Sequence, residues 1–371
     1  MTSPTPPGVT DVFVRTAGLE GRPPPAGVRP SLMKSLFGDL ATASATLLIG
    51  GVLLLSVPQL LAWGVTRGVW TGSADSCSGV GACWIFLQEK YPQILFGIYP
   101  PAEQWRPMLV VALFLAMALW TLAPRNWTRW TLLAWAIVTI AALLIMAGGV
   151  FGLPEVQTSD WGGLPITLLL TVLSVGLGFP LGVLLALGRQ SSLRIPRLAS
   201  IAIIEVVRAM PLLSILYVAA ILLPIMLPDG VTIDKLLRAI VALTIFSAAY
   251  LAEVVRGGLQ GVPGGQAEAA RALGLSWAAT TRLVVLPQAI SKVIPPLTNT
   301  VVVIVKNTSL VLVVGLFDLL SSGRAALADP RWPGPYAETY LFVALIYFVI
   351  CFGISRYAAW LEHHLSPRGS R

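Results

Sequence analysis

Two Glu–Arg pairs share one spacing in this chain, Glu205 with Arg208 and Glu253 with Arg256. A carboxylate and a guanidinium three positions apart share a helix face and can pair. Each pair stands at the edge of a long apolar segment, where charge is costly unless paired or wet. They read either as ion pairs that fix helix depth or as halves of one gate network, with Tyr250 beside the second. A second polar set interrupts a later apolar run: Thr298, Asn299 and Thr300, then Lys306-Asn307-Thr308-Ser309-Leu310. Within a bilayer such groups face a cavity or another helix. Pro295-Pro296 predicts a break close by, and a discontinuous helix can present polar groups to a solute. Asn299 and Asn307 read equally well as hydrogen-bonding glue between helices. Asp318, further on, reads as solvated polarity.

Between these sets lies a stretch too polar and too alanine-rich to cross a membrane, Gln266-Ala267-Glu268-Ala269-Ala270-Arg271-Ala272-Leu273-Gly274. Its composition predicts a short helix over Ala267–Leu273, with Pro263-Gly264-Gly265 ahead of it and Gly274 to stop it. Ser276 can cap a second short helix beginning at Trp277. Two helices at an angle on a membrane face make a knob that a soluble partner can grip; an amphipathic surface helix of no special role is the alternative.

The elements that must hold these residues are membrane spans. Of 371 residues 56% are hydrophobic and 11% charged, about half the charged share of soluble domains. The chain reads as an all-α polytopic membrane protein with about eight spans, near 40–63, 107–123, 130–151, 163–187, 205–227, 237–255, 289–319 and 339–361. Residues 1–39 are rich in proline and polar residues and read as a tail ending in an interfacial helix near Leu32–Leu40, with no signal peptide. Gly176, Gly178 and Gly182 suit close packing, and Pro180 is expected to kink its helix.

Positive charge sets the orientation. Arg125, Arg129, Arg189, Arg194, Arg197, Arg256, Arg271, Arg282 and Lys292 would lie on the side of both termini, against Arg67, Lys90, Arg106, Lys235, Arg238, Arg324 and Arg331 opposite. Both termini and the Glu268 loop are therefore expected in the cytoplasm. The net charge of +8 is explained by topology and needs no nucleic acid. Cys77 and Cys83 fall in the loop 64–106, expected outside, where they form a disulfide or remain two thiols. No histidine accompanies them, so no metal site is expected. Trp70, Trp84, Tyr91, Tyr99 and Trp105 in that loop read as interfacial anchors or as a surface for an external partner.

Several functions are disfavoured. A membrane enzyme needs a catalytic constellation inside the spans, yet the two histidines, His363 and His364, stand near the C-terminus. No filter or charge ring suggests a channel. The sequence carries no G-x-x-x-x-G-K-[ST], so ATP and Mg would bind a partner chain. A gradient-driven carrier of small polar solutes remains the alternative, although the in-membrane carboxylates are only Glu205 and Glu253, each near an end.

Four ordered segments carry a family resemblance: Glu205–Leu213, Tyr250–Gly258, Gln266–Pro287 and Lys306–Leu310. Together they resemble the polar amino-acid permeases of ABC importers, the histidine/glutamine/arginine uptake group. The Glu268 stretch is similar to that family's EAA loop, where the ATPase docks. The segment from Gly81 to Pro107 resembles the long M-type permeases of broad-specificity L-amino-acid importers. Ala209-Met210 before Pro211 departs from the Gly-Thr-like pair more usual there.

The resemblance implies an N-terminal extension over 40–160 and a five-helix type I permease core over 161–365, with the coupling loop at 256–288 and a tail at 366–371. It implies ATPase coupling through Glu268, Ala269, Ala270, Arg271, Gly274 and Trp277. A gate or solute path would use Glu205, Arg208, Tyr250, Glu253, Arg256, Thr298, Asn299 and Thr300. Its partners would be two ATP-binding subunits, a second related permease and a periplasmic amino-acid-binding protein, in a bacterial inner membrane.

Overall fold

The computed structural model describes residues 32–77, 81–150 and 152–365; the rest of the expected tails, 1–31 and 366–371, lie outside the described residues. The chain divides into two units, Met1–Arg67 and Gly68–Arg371.

The first unit holds α1 (Leu32–Phe37) and α2 (Leu40–Leu61), extended by a π-turn over Ala62–Thr66. Asp39 starts α2: its side chain accepts from Thr42 N while Thr42 Oγ1 accepts from Asp39 N. This reciprocal box satisfies two amide donors that a helix start leaves open.

The second unit comprises α3 (Trp84–Phe96), α4 (Trp105–Leu122), α5 (Arg129–Ala147), α6 (Gly163–Arg189), α7 (Arg194–Ala209), α8 (Leu212–Met226) and α9 (Lys235–Gln260). There follow α10 (Gly264–Ala272), α11 (Trp277–Thr280), α12 (Leu286–Lys292), α13 (Ile294–Asn307), α14 (Leu319–Ala326) and α15 (Tyr336–Leu365). Across both units, the described residues form 7 helices long and apolar enough to cross a membrane, or 8 if the bent pair α7–α8 makes one span. The membrane class and span number expected from composition hold, and the exceptions lie at prolines.

Helices α6 and α9 form the centre of the second unit. Their contact depends on glycine: a Cβ on Gly178 would stand 2.8 Å from Ser247 Cβ, and one on Gly182 2.9 Å from Ala248 O. Small residues at such positions let backbones approach within a bilayer. Pro180 lies between them without ending the helix.

The segment expected over 205–227, which carries internal prolines, is broken and begins earlier. Helix α7 begins at Arg194, ends at Ala209 and meets α8 at a bend of 102°. The cause is Pro211, which lacks an N–H and disfavours helix at the residue before it; Met210 is extended at φ −92°, ψ 137°. Glu205 and Arg208 therefore sit in the last turns of an amphipathic helix and do not open a span. Within α8 a π-turn over Val218–Leu222 precedes Pro224. Proline cannot donate to the carbonyl four residues back, that of Ala220, and Arg238 Nη1 donates to it at 2.7 Å.

The span expected over 289–319 is shorter, Ile294–Val314, and the break expected at Pro295-Pro296 is present. The chain kinks at Val293, just before Pro295-Pro296, and α13 tightens to a 3₁₀ run over Thr308–Val314 that Gly315 ends at φ +82°. Asp318 is fully buried, not solvated. Its carboxylate caps α14 by accepting from Leu320 N and Ser321 N, and it accepts from Tyr347 Oη at 2.9 Å.

The segment 64–106 is more ordered than its loop-like composition suggests. A disulfide joins Cys77 to Cys83. Cys83 N donates to the buried Glu338 carboxylate at 2.6 Å, and α3 packs on α14 through Phe86, Ile94 and Leu319. Trp332 meets Phe86 edge-on at 5.3 Å. A charged brace closes this end. Asp329 takes Lys90 and Arg331, each at 2.7 Å, and Arg331 reaches Glu89 at 3.4 Å.

Arg331, and then Lys90, hold the Asp329 carboxyl well below the usual carboxylate range. A depressed native pKa stabilises above the ordinary carboxylate value and is lost as pH falls through it. The Tm advantage of the wild type over Asp329→Asn in detergent is thus expected at neutral pH and should shrink below about pH 4. A pH-independent difference would show that the ionised carboxylate is not the brace.

Candidate functional site

The polar side chains gather at the end of the bundle that carries the Glu268 loop. There α6 ends at Arg189, α7 presents Glu205 and Arg208, and α9 presents Tyr250, Glu253 and Arg256. The i,i+3 pair Glu253–Arg256 forms: Nη2 and Nε of Arg256 approach the two carboxylate oxygens at 2.5 and 3.0 Å. The corresponding pair on α7 does not form. Glu205 instead takes Arg189 at 2.7 Å, while Arg208 reaches across to Glu253 at 3.4 Å with its guanidinium 5.9 Å from the Tyr250 ring. Arg189 also approaches Glu253, at 3.8 Å.

A single carboxylate thus faces three guanidiniums on three helices. Glu253 and Arg189 are each 24% exposed, so the cluster is half-buried, with part of its desolvation offset by its own pairing. The single network joining the two motifs is present in this geometry. Its fifth member, Arg189, was not singled out from the sequence, where it reads only as a topology-setting charge at a helix end. The signal available was its place, a basic residue in the last turn of a helix within reach of acids on the next.

Beyond Gln260 the chain turns through Gly261–Pro263 into α10, longer by three residues at its start than the helix expected over Ala267–Leu273. Ala270 packs inward at 4% exposure, while Glu268, Ala269, Arg271 and Leu273 face out. Gly274 adopts φ +81° in open space, a conformation L side chains rarely take. Ser276 Oγ accepts from Ala279 N and caps α11 as expected. Leu273, Trp277 and Leu283 are 84%, 68% and 65% exposed and form an apolar rim on this knob. Gln288 reaches Gln266 at 3.3 Å, and Lys292 donates to Gly261 O, tying α12 back to α9 and α10. A cavity of about 580 Å³ separates the knob from the turn after α6, lined by Gln190, Ser192, Arg271, Trp277 and Thr281.

Thr298, Asn299 and Thr300 do not join the charged network through any hydrogen bond. Thr298 and Thr300 donate to the carbonyls of Ile294 and Pro296 in their own helix, and Asn299 is exposed. Asn299 and Asn307 make no side-chain hydrogen bond among the described residues. Lys306 is exposed in the same span and has no ion pair among the described residues. It lines a groove of about 320 Å³ with Ser309, Tyr340 and Tyr347.

Residues 178–367 match the model of the family described as binding-protein-dependent transport system inner membrane component. The chain belongs to that family. Over its whole length this permease is also similar to two curated proteins. It is 41% identical to the inner membrane amino-acid ABC transporter permease protein YhdY of Escherichia coli K12, over 89% of this chain and 90% of that protein. It is 35% identical to the glutamate/glutamine/aspartate/asparagine transport system permease protein BztC of Rhodobacter capsulatus, over 95% and 98% respectively. One solved structure, that of an amino acid ABC transporter with histidines, matches at 36% identity and a TM-score of 0.49, over 55% of this chain and 92% of that one. By its family and its full-length relatives, this permease is a multi-pass inner-membrane component of an ABC importer. Its family implies an ATPase and a solute-binding protein as partners. Helices α3 to α5 and the N-terminal unit precede the matched region.

Proposed function

We propose that this permease moves L-amino acids, polar or over a broad range, into the cytoplasm by alternating access, and that its ATPase drives it through the knob at Glu268–Gly274. The substrate reading rests on the full-length likeness to one protein named for amino acids and another named for glutamate, glutamine, aspartate and asparagine. The observation that carries the coupling reading is the connection between site and lever. Helix α9 bears Glu253 and Arg256 and runs through Gly261–Pro263 directly into α10. A pull on α10 is thereby a pull on the network.

In this reading both termini and α10 are cytoplasmic, residues 161–365 form the permease core, and residues 40–160 are an extension whose disulfide-bearing segment lies outside. Glu268 and Arg271 offer polar contacts to the ATPase, Trp277 an apolar one, and Ala269 and Gly274 room for close fit. The network around Glu253 closes the inner mouth. Lys306, a cation on a membrane groove with no ion pair among the described residues, supplies charge for a solute carboxylate as the path opens. The second half of the pore is a related permease rather than a second copy of this chain.

Coexpression with an ATPase, a second permease and a solute-binding protein of the same importer, then purification and reconstitution in liposomes, tests this reading. ATP-dependent uptake of glutamate, glutamine or other amino acids is expected only when all four kinds of chain are present. Uptake by this chain alone on an ion gradient would overturn it.

A further inference from the structure

The network has an internal division that its distances expose. Two contacts are short: Arg189–Glu205 at 2.7 Å joins α6 to α7, and Arg256–Glu253 at 2.5 Å lies within α9. Two are long: Arg208–Glu253 at 3.4 Å and Arg189–Glu253 at 3.8 Å cross to α9 from α7 and α6. Helices α6 and α9 cannot part at this level without disturbing the close contacts of Gly178 and Gly182, and Ala186 is packed with Ala252, Val255 and Leu259. Helix α7 differs. It is bounded by the turn at 190–193 and by the bend at Met210–Pro211, and of its residues only Ser200 and Ile204 are buried. A helix set off by a break at each end, with a narrow buried stripe, is of these three the one with the fewest contacts to hold it in place.

We infer that α7 is the moving leaf of the inner closure and that Arg189 is the positioning residue that latches it. The Arg189 guanidinium pins Glu205, and hence the far end of α7, to the rigid α6–α9 pair, while its looser approach to Glu253 senses α9. When the α6–α9 pair shifts with the lever, the long Arg208–Glu253 contact breaks first, then Arg189–Glu205 gives way and α7 swings about Met210–Pro211. Such a latch makes release depend on α9, which ties opening to the ATPase. The inference rests on the coupling reading above, but not on which solute is carried.

The test uses the complete reconstituted importer and two readouts, ATP hydrolysis without the binding protein and solute moved per ATP. In Arg189→Ala the closure should loosen: hydrolysis without the binding protein is expected to rise about fivefold and solute per ATP to fall by a similar factor, as for loss of one partly buried pair. Arg189→Lys, which keeps the charge, should recover most of both. Because Arg189 acts through Glu205, the double variant Arg189→Ala/Glu205→Ala should be no worse than either single variant. Unaltered hydrolysis in the assembled Arg189→Ala complex, or losses that multiply in the double variant, would overturn the latch. If Arg189→Ala does not assemble, the ratio of Arg189→Lys to Glu205→Gln decides: equal, wild-type-like hydrolysis in both would equally overturn it. A wild-type complex that hydrolyses ATP yet carries no amino acid would sink the substrate reading, while the hydrolysis readout still judges Arg189.

Discussion

Gly274→Asp is expected to abolish ATP-driven uptake while leaving the protein inserted and folded. The backbone at Gly274 has φ +81°, so any side chain there is strained by about 1 kcal/mol, and aspartate tolerates that region better than most. No atom stands within 4 Å of the added Cβ, so no clash adds to that cost. The damage falls elsewhere. The new carboxylate would stand on the knob between Leu273 and Trp277, both largely exposed and poised for burial in a partner. Burying an unpaired charge in that contact costs about 3–5 kcal/mol, a loss of at least roughly 100-fold in docking.

Gly274→Asn separates the two effects, since it has the same shape and backbone tolerance without the charge. It should lose less uptake than Gly274→Asp, because it costs the close fit at Gly274 but buries no unpaired charge. The measurement is ATP-dependent uptake alongside co-purification of the ATPase: Gly274→Asp should lose both together. Normal uptake by that variant would remove the Glu268–Gly274 helix as the docking element.

This loop was also the most legible part of the chain. Helix formers between Gly265 and Gly274, with Ser276 at the next cap, specify local structure through interactions a few residues apart, and both short helices appear. The spans were legible for a similar reason, because length and hydropathy are local sums. What sequence could not specify was pairing. Glu205 and Arg208 have the spacing that suits an ion pair, yet the tertiary fold brings Arg189 to Glu205 across a tight turn and leaves Arg208 to Glu253. The bend at Met210–Pro211 decides this, because it fixes α7 along α6 instead of continuing it into α8. Asp318 misled for the same reason. Its burial comes from Tyr347 and the start of α14, which is set by the fold rather than by neighbouring residues. Helix α3 was missed because 13 residues with an internal Pro92 fall short of a span and resemble a loop in composition.

Glu253→Gln should have the larger effect of the two network carboxylates, and the reason is the charge it leaves behind. Glu253 is the counter-ion within 4 Å of Arg208 and Arg256 and the second one for Arg189. Its neutralisation leaves three guanidiniums facing an amide, with Glu205 alone among the described acids of the network left to offset them. Breaking a buried pair costs about 3–5 kcal/mol; at one-quarter exposure, water recovers part of this, leaving about 2 kcal/mol. That is too little to unfold a packed helix bundle but enough to shift a closed–open equilibrium by roughly 30-fold. Glu205 is about half exposed and holds one guanidinium, so Glu205→Gln should shift it by only about fivefold. Both proteins should fold and assemble, and both should hydrolyse ATP without the binding protein, Glu253→Gln the more strongly. Solute moved per ATP should fall in the same order. If both variants kept wild-type coupling, the network would be an anchor for helix ends and not a closure. If Glu205→Gln proved the more severe, control would lie in the Arg189–Glu205 contact of α7 rather than in the three-fold contact on α9.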